Sequence, residues 1–401
     1  MTADKPVRRV AFITSHPIQY QAPLFRKLAS RPGIDLTVYF CSRWGVERYE
    51  DKGFGKSIAW DIDLLSGYRH RFLRNYGLAS GPQGFAGLVN PAILSELRSG
   101  YDAVISTGWF TANHWITWVS AWVARVPLLL RAESSALSEA GGWKRVAKRA
   151  LLRAMFSRVS AFLAIGTHTA SYYRSFRVPG EKIFASPYAV ENERFLADGQ
   201  RLRPSKSQLR EKRGIHRDQP LFLFSGKLIA VKQPLDLLRA FETLQRNGLS
   251  ASLAFTGDGE LRPGLEAYVR DRGIRDVHFL GFQNQTEISE CYAMADALVL
   301  PSGYEPWGLV VNEAMCFGLA IVASDRVGSV PDLVTEGVNG YCFPAGDVAC
   351  LAARMRELAS DPVKLARFGE ESRRIIRHWG LEEGVDGIMA SLDQLAGGGV
   401  R

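Results

Sequence analysis

Cysteine is scarce in this chain, and none of it is arranged for metal or redox chemistry. Cys41, Cys291, Cys316, Cys342 and Cys350 lie scattered through 401 residues without a Cys-X-X-Cys pair. That excludes a zinc ribbon or a dithiol redox centre and fits structural thiols in a reducing cytoplasm. No apolar run of the signal-peptide kind opens the chain, so a cytoplasmic location is expected. The longest apolar stretch, 109–130, is interrupted by Asn113, His114, Arg125 and Pro127. It reads as a helix followed by a buried strand rather than a membrane span. Trp115, Trp118 and Trp122 recur there at helical spacing, which predicts a core face, with an interfacial aromatic belt as the alternative. No solenoid-type repeat is present. Zinc-finger spacing and the aromatic-glycine motif of RNA-binding sheets are also missing, so no nucleic-acid partner is expected.

Acidic residues are thin in the first half. Residues 1–200 hold 26 Lys+Arg against 15 Asp+Glu, a surplus of +11, while the remainder is close to neutral at −2. Trp143 to Arg158 contains Lys144, Arg145, Lys148, Arg149, Arg153 and Arg158 and no acid. On a helical wheel Trp143, Val146, Ala147 and Ala150 share a side. The Lys144–Arg158 region is therefore expected either to touch an anionic membrane peripherally or to form a plain solvated face. The overall composition, 46% hydrophobic and 23% charged, is that of a globular protein long enough for two cores.

Strand-like apolar runs alternate with helical patterns through both halves, which predicts parallel sheets covered by helices, an α/β chain. The predicted strands are Arg9–Thr14, Leu36–Phe40, Ala103–Ser106, Leu128–Leu130 and Ala161–Ile165 in the first half. In the second they are Leu221–Ser225, Ser252–Thr256, Val277–Phe279, Ala297–Leu300 and Ala320–Ala323. Between them, 197–219 is polar and rich in Lys and Arg and reads as a linker with a short helix.

The segment from Pro301 to Met315 carries the strongest functional signal. Glu305 and Glu313 lie eight positions apart, with Pro306 and Gly308 between them. Strand, loop with Glu305, then helix with Glu313 is the predicted order, and it places the second acid about two turns down the helix. The unpaired N–H groups and dipole at such a helix start suit a diphosphate, and carboxylates beside it suit sugar hydroxyls.

This segment, with Phe317-Gly318-Leu319-Ala320-Ile321-Val322, Val327-Gly328-Ser329 and Asn339-Gly340 after it, resembles the family 4 retaining glycosyltransferases of the GT-B fold. The resemblance implies two Rossmann-like domains facing across a cleft. An N-terminal acceptor-binding domain would span 1–200, and a last helix over about Leu351 to Leu395 would return partly to it, with about 375–395 counted in that domain. A linker would follow at 201–219, and a donor-binding domain at 220–374. It implies that Glu305 contacts the donor sugar, that Glu313 accepts hydrogen bonds from the ribose, and that Lys227 and Lys232 clamp the diphosphate. N–H groups around Gly308 and Leu309 would help, with Gly226, Gly257 of Gly257-Asp258-Gly259, and Phe282 lining the nucleotide. Lys227 stands where many relatives have Arg, and Gln233 where Gly is common. Fixed cations suit the charge that the leaving diphosphate gains.

On the acceptor side the resemblance points to His16 and Gln19, in the loop after the first strand, and to Glu133, which stands where relatives often carry a His. Glu133 would bind a sugar hydroxyl, or pair with Arg131. Asp61-Ile62-Asp63 has the form of a metal motif from the other nucleotide-sugar transferase fold, outside any nucleotide-binding context, and no metal is expected. The expected function is a retaining, metal-independent transfer from a nucleotide-diphosphate sugar to a glycan or lipid-linked acceptor, in surface polysaccharide or glycolipid synthesis. No cofactor is expected, only the donor substrate, and the location is the cytoplasm or its membrane face. The alternatives are a glycosyltransferase-like scaffold without turnover, a nucleotide-sugar 2-epimerase, and a phosphorylase or synthase.

Overall fold

The computed structural model describes residues 7–46, 49–51, 56–58, 60–77, 84–133, 135 and 143–397. The strands, in chain order, begin with β1 (Arg8–Thr14), β2 (Ile34–Phe40), β3 (Tyr49–Asp51), β4 (Lys56–Ile58) and β5 (Arg69–Phe72). They continue with β6 (Ala103–Ser106), β7 (Leu128–Leu130), β8 (Ala161–Ala164) and β9 (Ile183–Ala185). The remainder are β10 (Leu221–Ser225), β11 (Ser252–Thr256), β12 (Val277–Gly281), β13 (Ala297–Leu300), β14 (Ala320–Ser324) and β15 (Gly340–Phe343). β3 and β4 form a separate two-stranded sheet. Two compact units result. One holds the described residues of Met1–Tyr49, Ile62–Tyr188 and Leu381–Arg401, the other those of Glu50–Asp61 and Ala189–Gly380.

The first unit is built on a seven-stranded parallel sheet of order β5-β2-β1-β6-β7-β8-β9. β1 is an interior strand, paired on both edges: Val10 lies opposite Leu36 of β2 and opposite Ala103 of β6, and its apolar residues are buried on both faces of the sheet. One face packs Phe12, Phe25 and Phe40 against Val385, Ile388 and Leu392 of the helix Leu381–Gly397. The opposite face gathers Tyr39, Trp118, Leu130, Phe156, Phe162 and Tyr173.

The second unit is a six-stranded parallel sheet of order β12-β11-β10-β13-β14-β15. Phe222, Phe224, Phe241, Phe255, Val299 and Val322 form its core. The strand order runs outward both ways from β10 and β13. Ligands of such doubly wound sheets sit beyond the C-terminal strand ends, at the point where the order reverses.

Three features differ from expectation. The last helix is three: Val348–Ala359, Pro362–Ile376 and Leu381–Gly397. Pro362 cannot donate to the preceding turn, so a new helix opens there, and Gly380 precedes the third. Within 197–219, the chain forms the helices Asn192–Leu202 and Lys206–Glu211 and buries Arg210 to 2% exposure. Five strands were not foreseen: β3 and β4, which pair with each other, and β5, β9 and β15, which are edge strands of the two large sheets. The Gly397–Gly399 tail lies outside the described residues from 398 onward.

Candidate functional site

β13 is fully buried and ends at Pro301, and the loop that follows carries Glu305. That loop is not free. Glu305 N–H donates to the Arg326 carbonyl (3.0 Å), and the Glu305 carbonyl accepts from Gly328 N–H (2.9 Å). The loops after β13 and β14 thus hold each other, with Glu305 and Val327 bridged in parallel. Gly308 then takes a left-handed backbone, φ 90°, and caps the helix Leu309–Cys316. A side chain there would be strained and would meet Val327 and Glu305 at 3.0–3.2 Å. The turn aims the first N–H groups of the helix, from Leu309 onward, at the strand ends.

Glu305 forms an ion pair with Lys232, which closes a short 3₁₀ turn (Ala230–Lys232) after β10. Burial, and the like charge of Lys227, pull the Lys232 ammonium down to about 8. Both sequence-predicted cations therefore face one locus. Gln233, at the position where relatives commonly have Gly, adopts the left-handed backbone that explains that preference, φ 50° and ψ 44°. For a residue with a Cβ this costs about 1–2 kcal/mol.

Gly226 and Gly257 interlock. Gly226 N–H donates to the Thr256 carbonyl, and Gly257 N–H to the Gly281 carbonyl. A Cβ on Gly257, at φ 127°, would lie 1.9 Å from the Gly226 carbonyl oxygen. Phe282 follows directly, half-buried, its ring 6.4 Å from that of Trp60. Glu313 lies half-buried on the helix, one carboxylate oxygen 2.6 Å from the Tyr292 hydroxyl. Burial is the main influence on Glu313, raising it to about 7 against the opposing Tyr292 bond and the Arg194 charge.

At this end of the second sheet the fold thus gathers Lys227, Lys232 and Glu305 and, beside them, Gly226, Gly257, Gly308, Leu309 and Glu313. Tyr292 and Ser225 were missed: an aromatic residue in an apolar helix and a strand-end serine read as core. Among the described residues, Gln233 Oε1, Ser302 Oγ and Ser329 Oγ are buried without a hydrogen-bond partner. They follow β10, β13 and β14, on the side where a polar ligand would satisfy them.

In the first unit His16 follows β1, its Nδ1 2.9 Å from Ser15 Oγ and its ring edge-on to Trp44. Burial lowers it to about 4, so it is neutral at physiological pH. Gln19 is half-buried in the next turn. Glu133 follows β7 and is exposed, accepting from the hydroxyls of Tyr20 (3.2 Å) and Tyr188 (2.9 Å). The buried Arg131 guanidinium is directed elsewhere, donating to Ser186 Oγ and to the Ser186 and Pro187 carbonyls. Asp61 and Asp63 have separate partners: Asp61 accepts from Thr286 N–H, 225 residues on, and Asp63 from the nearby Leu65 and Ser66 N–H.

Two family matches divide the chain. Residues 205–375 match the glycosyl transferases group 1 family, and residues 19–189 match a glycosyl transferase 4-like domain. The chain belongs to the group 1 glycosyltransferases. It is 26% identical over 360 residues to a GDP-mannose-dependent α-(1-6)-phosphatidylinositol monomannoside mannosyltransferase of Mycolicibacterium smegmatis, covering 87% of this chain and 86% of that one. It is 30% identical over 225 residues to the α-D-kanosaminyltransferase of Streptomyces kanamyceticus, and there the match spans about half of each, 56% and 55%. The fold is GT-B. HepE of Anabaena, solved with UDP and glucose, superposes with a TM-score of 0.68 at 17% identity, over 96% of this chain and 99% of that one. WaaG, a glycosyltransferase involved in lipopolysaccharide biosynthesis, gives 0.65 at 18% identity, over 96% and 99%.

Proposed function

We propose that this group 1 glycosyltransferase transfers a sugar, with retention of configuration and without a metal ion, from a nucleoside-diphosphate sugar to a glycan or lipid-linked acceptor. The observation that carries this reading is the convergence of Lys227, Lys232, Glu305 and a helix N-terminus at the C-terminal ends of β10 and β13. Lys227 and Lys232 bind the diphosphate. As the glycosidic bond to the anomeric carbon breaks, negative charge grows on the leaving phosphate, and fixed cations stabilise it where a metal would otherwise serve. The Leu309 and Val310 N–H groups add donors without reorganisation. Glu305, drawn from its pair with Lys232 once phosphate oxygens take the ammonium, accepts from the donor sugar's hydroxyls. Glu313 accepts from the ribose. The departing phosphate receives the acceptor's proton, which requires no separate protein base. His16, Gln19 and Glu133 are assigned to substrate contacts from the first unit. Glu133 is pre-aimed by its two tyrosines as an acceptor of hydrogen bonds.

Peripheral contact with an anionic membrane at the cytoplasmic face belongs to the same reading. In the helix Trp143–Phe156, Val146 is 67% exposed, and Ala150 beside it is exposed too. That apolar side meets solvent rather than a core; the side chains of Trp143, Lys144, Arg145 and Ala147 lie outside the described set. The three tryptophans of the helix Ala112–Ala124 split: Trp118 is core, whereas Trp122 is 66% exposed with Arg158 over its ring. No described helix is long and apolar enough to cross a membrane.

The test is donor turnover with UDP-, GDP-, ADP- and dTDP-sugars in excess EDTA, the anomeric configuration of the product being read by NMR. Turnover with one nucleotide class in EDTA, and a product anomer matching the donor's, is expected. Nucleotide binding without turnover, with any acceptor or water, would instead indicate a scaffold.

A further inference from the structure

Tyr292 sits in the helix Ile288–Met294, fully buried, its ring 5.6 Å from that of Phe317. Its hydroxyl oxygen lies 2.6 Å from Glu313 Oε2 and 3.1 Å from Ser225 Oγ. A tyrosine hydroxyl has one proton to give and a lone pair to accept with. An ionised carboxylate can only accept, so the Tyr292 proton goes to Glu313, and Ser225 Oγ–H donates to the Tyr292 oxygen. The chain Ser225–Tyr292–Glu313 therefore starts at the last residue of β10, two positions before Lys227, and ends on the carboxylate assigned to the ribose. It ties the diphosphate loop to the ribose acid through a side chain that reaches no substrate itself.

We propose that Tyr292 is a positioning residue that commits Glu313 Oε2, leaving Oε1 to take both hydroxyls of a vicinal ribose diol, so that the site selects ribonucleoside over 2′-deoxyribonucleoside diphosphates. This rests on the donor-binding reading above. An ionised Glu313 accepts both hydroxyl protons as charge-assisted bonds, roughly twice as strong as those to the neutral acid. A 2′-deoxy sugar supplies one donor in place of two, and a hydrogen bond to a charged group is worth about 10- to 100-fold in affinity. Without the Tyr292 proton the carboxylate is free to rotate, and both its aim and its ionised form lose support.

The groups facing Glu313 fix the direction of its pH response. Burial raises it to about 7, while the Tyr292 hydroxyl and the Arg194 guanidinium oppose that rise. Arg194 comes from the helix Asn192–Leu202, and Cys316, on Glu313's own helix, is itself pushed up by burial and by the Glu313 charge. Ribonucleotide affinity therefore increases as pH rises through about 7, and removing the Tyr292 hydroxyl moves that midpoint upward.

The experiment is calorimetric titration of UDP, GDP and ADP, and of dUDP, dGDP and dADP, into wild type and Tyr292→Phe between pH 6 and 8.5. Expected is a ribo-over-deoxy preference of about tenfold or more in the wild type. In Tyr292→Phe it should shrink severalfold, with a higher pH midpoint and an intact thermal transition. Ser225→Ala should shift both readouts the same way by less, and it keeps the test open should Tyr292→Phe fail to fold. A wild-type ribo/deoxy ratio near one, or a ratio and midpoint unmoved by Tyr292→Phe, overturns the inference while leaving diphosphate binding standing. Absence of binding by all six nucleotides overturns the donor reading together with it.

Discussion

Lys232 and Glu305 form an ion pair whose two side chains are only 19% and 15% exposed. The ammonium comes from the loop after β10 and the carboxylate from the loop after β13, the two central neighbours of the second sheet. Each group is the other's partner until something with better charges arrives. A diphosphate can take the lysine and a sugar the glutamate, so the pair holds the site in register while it is empty.

Glu305→Ala should reduce transfer by well over tenfold, more than about 1.4 kcal/mol of transition-state stabilisation. The fold should survive, because the loop is held through backbone bonds to Arg326 and Gly328 rather than through the side chain. Initial rates with far-ultraviolet circular dichroism separate the two. Turnover within tenfold of wild type would remove Glu305 from the site.

Diphosphate affinity should weaken in alkali. Burial and the neighbouring Lys227 charge put Lys232 at about 8 in the unliganded protein, so its charge is present below that pH and lost above it. Bound phosphate favours the charged form, hence the Lys232 contribution to affinity is constant from pH 6 to 7.5, where the Glu313-dependent rise is read, and falls by up to about tenfold per unit above 8. Lys232→Ala should abolish this alkaline limb in a titration series.

Arg210 is a structural anchor rather than a ligand contact. Its guanidinium donates to the carbonyls of Met294, Arg217 and Gln219 and to Asp296 Oδ2. Removing it leaves a buried carboxylate with Lys206 as its ion-pair partner and the Leu221 N–H as a donor, so Arg210→Ala should cost about 3–5 kcal/mol in chemical denaturation. Burial by itself would raise Asp296, but Lys206 and Arg210 outweigh it and the net direction is down. Its contribution is therefore present above about pH 4, its ordinary value, and is lost as pH falls through the depressed one.

The central strands were legible because they are buried on both faces, so their sequences are unbroken apolar runs such as Leu221-Phe222-Leu223-Phe224. Of the edge strands only β12 was legible, from its Val-His-Phe-Leu run; β5 reads Arg-His-Arg-Phe, and β9 is three residues long. Glu305, Glu313, Lys227 and Lys232 were singled out through the family resemblance, since by themselves two helix or loop glutamates and two loop lysines read as solvated surface; the fold brings all four to one end of the second sheet. Tyr292 could not be singled out, since only the fold shows that an apparently apolar helix turns one hydroxyl toward Glu313. The helix Trp143–Phe156 gave its charge in sequence but not its orientation. Which side met solvent depended on Leu152 and Phe156 being taken into the core.

That orientation predicts membrane binding. Vesicles of phosphatidylcholine with 30% phosphatidylglycerol should co-sediment the protein, and neutral vesicles should not. Arg153→Ala should weaken binding by about fivefold, about 1 kcal/mol for one cation near an anionic surface. Trp122→Ala should weaken it without changing its salt dependence.

The most direct measurement is calorimetric titration of UDP, GDP and ADP, in EDTA, into wild type and into Lys227→Ala/Lys232→Ala. The account predicts that at least one nucleotide binds the wild type and that the double variant loses more than about tenfold of that affinity, since two charge-assisted contacts are gone. Equal affinity in both proteins, or binding by the wild type only when a divalent metal is restored, would contradict it.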